Sequence, residues 1–440
     1  MVNLFLYAIV ILTFFAPGVP LVRGLPTIHI EDILLVLVVI LGGKLSHNLF
    51  FGQHLKKLTL PLIVLVTYVF VVTVIMAAVL PTFQSLSFSV FLALGRYKAP
   101  ILAAVMFALL REPRQLSRVG GLLMIMAVAE FVLTLMQQTN ILGVNAWLSP
   151  LYRATMQIEV GASVNRLFGS VSNANDLGTI LSVLGTLAYA RFALGPGVKA
   201  RVFAGLTAAL ALTCCVALAG TRQGTACLLV GIFFVQVIVL LKSRRYGLSF
   251  VVTILLVLLL AVGFYYLQSN PALAQRFGVL SGKTAIGQEG SLAYRFQLWK
   301  SFFPTYGAWL LVGKGFEGLY GMEAWDSGYF NTLIVGGVPA IIALFFLNVL
   351  PGIASWRRLR IIGMDHPDAW LHLGSFGIMF PILLTGLVNN TWSTSQVMSV
   401  IAMVNVLSLA AMKIEDQEYE TLEASEELAL EEARTEMTPN

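Results

Sequence analysis

Apolar stretches of helix length recur along the whole chain. A bilayer core of ~30 Å needs roughly 20 apolar residues in a helix, and stretches near 2–22, 29–43, 58–80, 86–110, 119–139, 176–194, 201–219, 224–242, 247–268, 329–350, 370–390 and 394–413 are read on that rule. The second is short and opens on Glu31 and Asp32. The first has neither a basic n-region nor a small-residue cleavage site, so it reads as a retained span, not a signal peptide. The pattern predicts an all-α polytopic membrane protein with about 12 transmembrane helices.

Composition agrees. Only 11% of the 440 residues are charged and 58% are hydrophobic, with a mean hydropathy of +0.84, whereas a soluble domain is about a quarter charged. The cations then orient the spans. Lys44, Lys56 and Lys57 follow the second; Arg111, Arg114 and Arg118 follow the fourth. Arg191, Lys199 and Arg201 follow the sixth, Lys242, Arg244 and Arg245 the eighth, and Arg357, Arg358 and Arg360 the tenth. Every second connection is thus cationic, which predicts that these face the cytoplasm together with both termini. The net charge of +6 is this topological signal and not a footprint for nucleic acid.

Two of the outward connections are long, 140–175 and 269–328, the latter falling between spans nine and ten. Long loops without a core of their own are often functional. YRFQLWKSFF, from Tyr294 to Phe303, has the apolar spacing of an amphipathic helix on the bilayer surface. The chain therefore divides into a transmembrane domain, 1–413, and an acidic tail, 414–440, read as a solvated helix or a disordered end.

The charges near the outer face are the candidates for chemistry. Arg222 stands in AGTRQG, a turn too short to leave the membrane surface. It reads either as an arginine snorkelling to lipid phosphates or as a guanidinium that holds a phosphate bidentately. Arg295 lies in the amphipathic segment of the longer loop, after Arg276 and Lys283 and before Lys300. Lys283 and Lys300 are assigned to lipid headgroups. Two arginines converging on one substrate suit a pyrophosphate without a metal. Arg96 and Lys98 interrupt span four. Unpaired, a cation there costs about 3 kcal/mol, so Glu130 in span five is the expected partner, with a donor-phosphate contact as the other reading. Arg166, Asn173, Asn175 and Asp176 precede span six; the amides and carboxylate are turn and N-cap residues, or groups that bind a sugar hydroxyl. Asp326, in WDSGYFN, is either the cap of span ten or a base at the membrane surface.

Other chemistries lack a motif. Cys214, Cys215 and Cys227 fall in or beside apolar spans with no CxxC. The histidines, including His366 and His372 at one cytoplasmic connection, do not pair with Cys or Glu at metal-ligand spacing. No metal site is read, no cofactor is implied, and there is no P-loop, Rossmann fingerprint or GxSxG elbow.

Four segments in order resemble the bacterial O-antigen ligase and O-antigen polymerase superfamily, whose members act on undecaprenyl-pyrophosphate-linked glycans. RLFGSVSNANDLGTIL is similar to its Arg–Gly…Asn–Asn motif, and LAGTRQGTACLLVG to its Ser-Arg-Gly turn with Thr221 in place of serine. YRFQLWKSFFPTYGAWLLVGKGF is similar to its Arg–x3–Trp motif and following Gly–x–Gly, which gives Arg295, Trp299, Gly313 and Gly315. DSGYFNTLIVGGVPAII is similar to its closing motif, ending in Gly337 and Pro339. The match covers Arg166 to Ile342.

The resemblance implies a GT-C-like glycosyltransferase acting outside the cytoplasm of a bacterial inner membrane. Arg222 and Arg295 would hold the pyrophosphate and Asp326 would accept the proton of the attacking hydroxyl. Arg166, Asn173, Asn175, Arg96, Lys98, Trp299 and Tyr329 would contact substrate. The ligases carry His–Asn where this chain has Asp326–Ser327, which favours a polysaccharide polymerase, with a chain-length-regulating co-polymerase as a further partner beside membrane lipids. An O-antigen ligase acting on lipid A-core is the nearest rival. A flippase for lipid-linked sugar and a non-catalytic export scaffold are more distant, since the site charges gather at one face.

Overall fold

A computed structural model describes residues 2–15, 53–79, 95–152, 167–171, 173–242, 265, 290–316, 327–389 and 394–436. No strand occurs among these residues, and eight of their helices are long and apolar enough to cross a membrane. Those eight coincide with the stretches expected near 58–80, 119–139, 176–194, 201–219, 224–242, 329–350, 370–390 and 394–413. Of the first stretch, the described residues form α1 (Val2–Phe15). Of the fourth, the described part is a 3-10 turn, Gly95–Tyr97, followed by α3 (Lys98–Leu109). The stretches at 29–43 and 247–268 lie outside the described residues, apart from Tyr265.

The remaining helices are α2 (Lys56–Val79), α4 (Pro113–Thr139), α5 (Val144–Tyr152), α6 (Ala174–Leu194), α7 (Val198–Thr213) and α8 (Arg222–Lys242). After them come α9 (Gly290–Tyr306), α10 (Gly328–Ile362), α11 (Ala369–Val388) and α12 (Ser395–Glu436). Helix α6 and the first half of α12 are apolar on nearly all sides and occupy the middle of the bundle, their most apolar windows being 89% and 94% buried. α6 is hemmed in by α7, α8 and α11, and α12 runs beside α3. Small residues permit this density: a Cβ on Gly224 would stand 2.6 Å from the Gly178 Cα, so α6 and α8 meet backbone to backbone.

Helix α10 is broken inside the membrane. Gly337 has φ 62° and ψ −162°, and Pro339 lacks an N–H, so the carbonyls of Ile334 and Val335 lose their partners within the helix. The segment after α9 supplies replacements. Lys314 N donates to Ile334 O (2.6 Å) and Gly315 N to Val335 O (2.9 Å), while Val338 N turns to Leu310 O (2.7 Å). Irregular backbone is tolerated at membrane depth only when protein satisfies it, and here the 310–315 segment does so. Gly313 and Gly315, with φ of 88° and 67°, give the left-handed bends that fit it against Gly336 and Thr73.

The side chains separate the two ends of the bundle. At one end, Arg191 bonds Ser117 and lies over Trp370, Lys413 reaches Phe107 O and Leu110 O, and Arg358 pairs with Glu415 and Asp416. This cationic end gathers the connections that the charge pattern groups together. Of the two readings of the tail, the described residues form the solvated helix: α12 runs unbroken past residue 413 and is exposed from Gln417 onward, while Glu415 at its root is only 6% exposed. Burial of a carboxylate requires partners, and Arg358 and His372 provide them.

Candidate functional site

The opposite end brings together helix termini that are far apart in sequence. Asn173 caps α6, accepting from Asp176 N (2.8 Å) and donating to Asp176 Oδ2 (2.5 Å), a reciprocal arrangement akin to a capping box. The Asp176 carboxylate also accepts from the Asn389 amide at the end of α11 (3.1 Å) and from Thr394 just before α12 (3.0 Å). Gly328 N, at the start of α10, donates to Asn389 O (3.1 Å). One buried carboxylate therefore fixes the mutual positions of α6, α11 and α12, and Asn389 extends the tie to α10.

Arg222 joins this group through α8. Cys214–Leu218 form a π-helical turn and Gly220 takes φ 51°, which turns the chain back toward the membrane. The Thr221 hydroxyl accepts from Gly224 N (3.2 Å), capping α8 and setting Arg222 at its first residue. Threonine caps a helix as serine does. Gln223 reaches across to Thr179 on α6 (3.2 Å). The N-termini of α6, α8, α10 and α12 all lie at this end, and their dipoles favour an anion.

The helix α9 carries Arg295 in its backbone, one turn before Trp299; the Arg295 side chain is outside the described set. Trp299 and Phe302 pack on Phe330 at ring-centroid distances of 5.8 and 4.4 Å, and Phe302 is fully buried beside Ile334. Phe303 and Lys300 are exposed. The expected amphipathic helix is thus docked on the first turns of α10, held further by the 310–315 seam. Lys314 lies over the Trp309 ring at 4.9 Å.

Other expected residues fall as follows. Asp326 and Arg166 lie outside the described residues. The cap of α10 is Ser327, one position after Asp326: its hydroxyl accepts from Phe330 N (3.5 Å) and donates to Gly386 O (3.3 Å). A serine one residue closer to the helix takes the cap geometry, so the cap role proposed for Asp326 passes to Ser327. Tyr329 is turned to α11, its hydroxyl donating to Leu383 O (2.7 Å) and its ring lying against Gly386. Asn175 is half-buried in the first turn of α6, where its carbonyl accepts from Thr179.

Glu130 is not aimed at the cations of span four. Its carboxylate accepts from Ser170 N (3.0 Å) and from the Ser170 hydroxyl, while Gln137 brackets the same turn by accepting from Gly169 N (2.9 Å) and donating to Gly169 O (3.1 Å). Backbone donors in a buried turn are a stronger claim on a carboxylate than a distant flexible cation. Lys98 is buried, and Arg96 lies over the Phe316 ring at 5.6 Å. Arg96 also lines a small cavity with Leu62, Ala99, Ser395 and Met398. Ser395 adjoins Thr394, so this cavity borders the Asp176 cluster.

Asn389, Thr394 and Gln223 escaped the sequence reading. The polar run Asn389–Asn390–Thr391 between two apolar spans was the signal for the first two. Compared with known proteins, the chain matches no family model, and no curated protein matches it.

Proposed function

We propose that the protein is a membrane glycosyltransferase that polymerises undecaprenyl-pyrophosphate-linked oligosaccharide units at the periplasmic face of a bacterial inner membrane. The observation that supports this best is a convergence. Segments 173–179, 221–223, 299–315 and 327–339, each picked out by resemblance, are joined by hydrogen bonds and ring contacts, the first to the last through Asn389. The positive-inside rule puts the cationic end in the cytoplasm and the opposite end outside. Spans at 29–43 and 247–268, together with α1 and the stretch containing α3, would complete twelve, with 269–328 as the large periplasmic loop.

In this reading Arg222 and Arg295 clamp the pyrophosphate, helped by the helix N-termini around Asp176. The acceptor hydroxyl oxygen attacks the anomeric carbon of the donor and Asp326 takes its proton. The bond from anomeric carbon to phosphate oxygen breaks and undecaprenyl pyrophosphate departs with its charge offset by the two guanidiniums. Trp299 offers an apolar ring at the same surface, and Arg96 and Lys98 supply positive charge deeper along the donor path. Asp176 and Asn173 set the positions of the helices and do not meet the reacting atoms.

The test is substitution with a check on insertion. Arg222→Ala, Arg295→Ala and Asp326→Ala are each expected to abolish polymer while the chain remains in the membrane at wild-type amounts. Normal chain-length ladders from all three would overturn the reading.

A further inference from the structure

The cationic end holds a second cluster that the proposed reaction does not use. The α10–α11 connection, 363–368, folds against α12. There His366 Nδ1 stands 3.9 Å from Glu415 Oε1, and one donor atom each from His366, Asp368 and Glu415 lies within 4.8 Å of the others. The three come from two elements and meet only through the fold.

Three features distinguish this cluster from an ordinary surface ion pair. The first is orientation. Glu415 is held from behind, with Oε2 accepting from Arg358 Nε (2.5 Å) and Oε1 3.0 Å from His372 Nε2. His372 is itself fixed by Ser408 at 2.8 Å on its other nitrogen. Such outer groups are what aim a ligand at a metal. The second is the nitrogen. Asp368 N donates to His366 Nδ1 (3.2 Å), so this atom carries the lone pair, the form that ligates a cation.

The third is charge. Asp368, Glu415, Asp416 and Glu418 act together here, and Arg358, bonded to both Glu415 and Asp416, is the guanidinium among them. Lys57 acts on His54 and Asp416, and neither Lys57 nor Arg357 is among the charges that act on Asp368. Asp368 has the Glu415 and Glu418 carboxylates beside it, negative charge that a divalent ion would balance. His366 and Asp368 are half-exposed, which leaves an entry route and room for water ligands.

We infer that His366, Asp368 and Glu415 form a site for a divalent transition-metal ion of the Zn2+ or Mn2+ class, which staples the α10–α11 connection to the terminal helix. One imidazole and two carboxylates suit these borderline ions, whereas calcium prefers oxygen ligands alone. Ligand atoms around zinc bonded at about 2.0–2.1 Å are roughly 3.3 Å apart, so each side chain has to move by an ångström or so. The metal replaces the weak Asp368 N contact on His366 Nδ1. Glu415 gives one further lone pair of Oε1 and keeps Arg358.

The experiment uses the tag-free full-length chain in detergent, stripped with EDTA and then titrated with ZnCl2 or MnCl2. Bound metal is counted after desalting and the melting temperature is followed. The wild type is expected to keep about one equivalent of one of the two ions and to melt at higher temperature with it, since an ion that binds only the folded chain stabilises it. His366→Ala and Asp368→Asn, at half-exposed loop positions, are expected to melt as wild type in EDTA and to lose both the metal and the shift. The site is refuted if the wild type retains neither ion, or if the His366→Ala/Asp368→Asn double variant retains as much as wild type. Should a variant fold poorly, wild-type retention alone still decides against the site when it is absent.

Discussion

The Asn389 side-chain amide donates to the Asp176 carboxylate across 3.1 Å, linking residues 213 positions apart. With Thr394 and Asn173 it satisfies both oxygens of a carboxylate that is 1% exposed. Asp176→Ala would leave three donors facing a void, at a cost of about 1–3 kcal/mol per stranded buried group. We expect a melting temperature lowered by several degrees and loss of polymer product. Asn389→Ala removes one donor and keeps the cap, so it should lower product and stability less. Equal effects of the two substitutions would contradict the role given to Asp176.

The break in α10 and the segment that fills it form a single unit. Gly337→Ala forces a side chain into the left-handed region, about 1–2 kcal/mol, and sets a Cβ 2.8 Å from Leu310 O. Gly315→Ala collides with the Thr73 backbone in the same way, at 2.6 Å. Both are expected to reduce folded protein in the membrane and to release α9, seen as faster protease cleavage within 290–316. Gly363→Ala is the control. Its φ is 80° but no atom lies within 4 Å of the added Cβ, so only the backbone strain applies and folded yield should stay close to wild type.

At the cationic end, Arg358 joins the buried Glu415 and the more exposed Asp416. Arg358→Ala leaves Glu415 with histidine partners only, and breaking a buried pair in this way costs about 3 kcal/mol. Thermal melting in detergent should show the loss, while Arg360→Ala, at an exposed position two residues beyond Arg358, should not.

His54 supplies a pH dependence. Burial lowers its pKa below 6.5 and outweighs the pull of Asp416, whose carboxylate is 2.8 Å away. A histidine depressed in the fold contributes stability above its unfolded pKa and loses it as the pH falls through the folded value. The melting temperature should therefore drop on acidification below pH ~6.5, and His54→Gln should flatten that part of the profile. An unchanged slope in the variant would show that other groups carry it.

Hydrophobic length made the membrane spans legible, and cation spacing grouped the connections that meet at one end. Length cannot mark the break at Gly337, because GGVP sits inside an unbroken apolar run and its partners at 310–315 belong to a loop. The Glu130–Arg96 pairing fails for a related reason: opposite charge in adjacent spans says nothing of the Ser170 turn that claims the carboxylate first. His366 and Glu415 share no local motif, since their meeting depends on α12 returning past the α10–α11 connection. At the candidate site, Asn173 and Arg222 were visible as a cap and an exceptional cation. Asn389 and Thr394 were not, because a short polar turn between two spans looks the same whether it faces solvent or binds a buried aspartate.

The central claim is that this chain joins lipid-linked repeat units to one another. The direct measurement is purified protein incubated with undecaprenyl-pyrophosphate-linked repeat units as sole substrate, with products resolved by size. The account predicts lipid-linked products of several repeats, lost in Asp326→Ala. No product until a lipid A-core acceptor is added, or none with either acceptor, would contradict it.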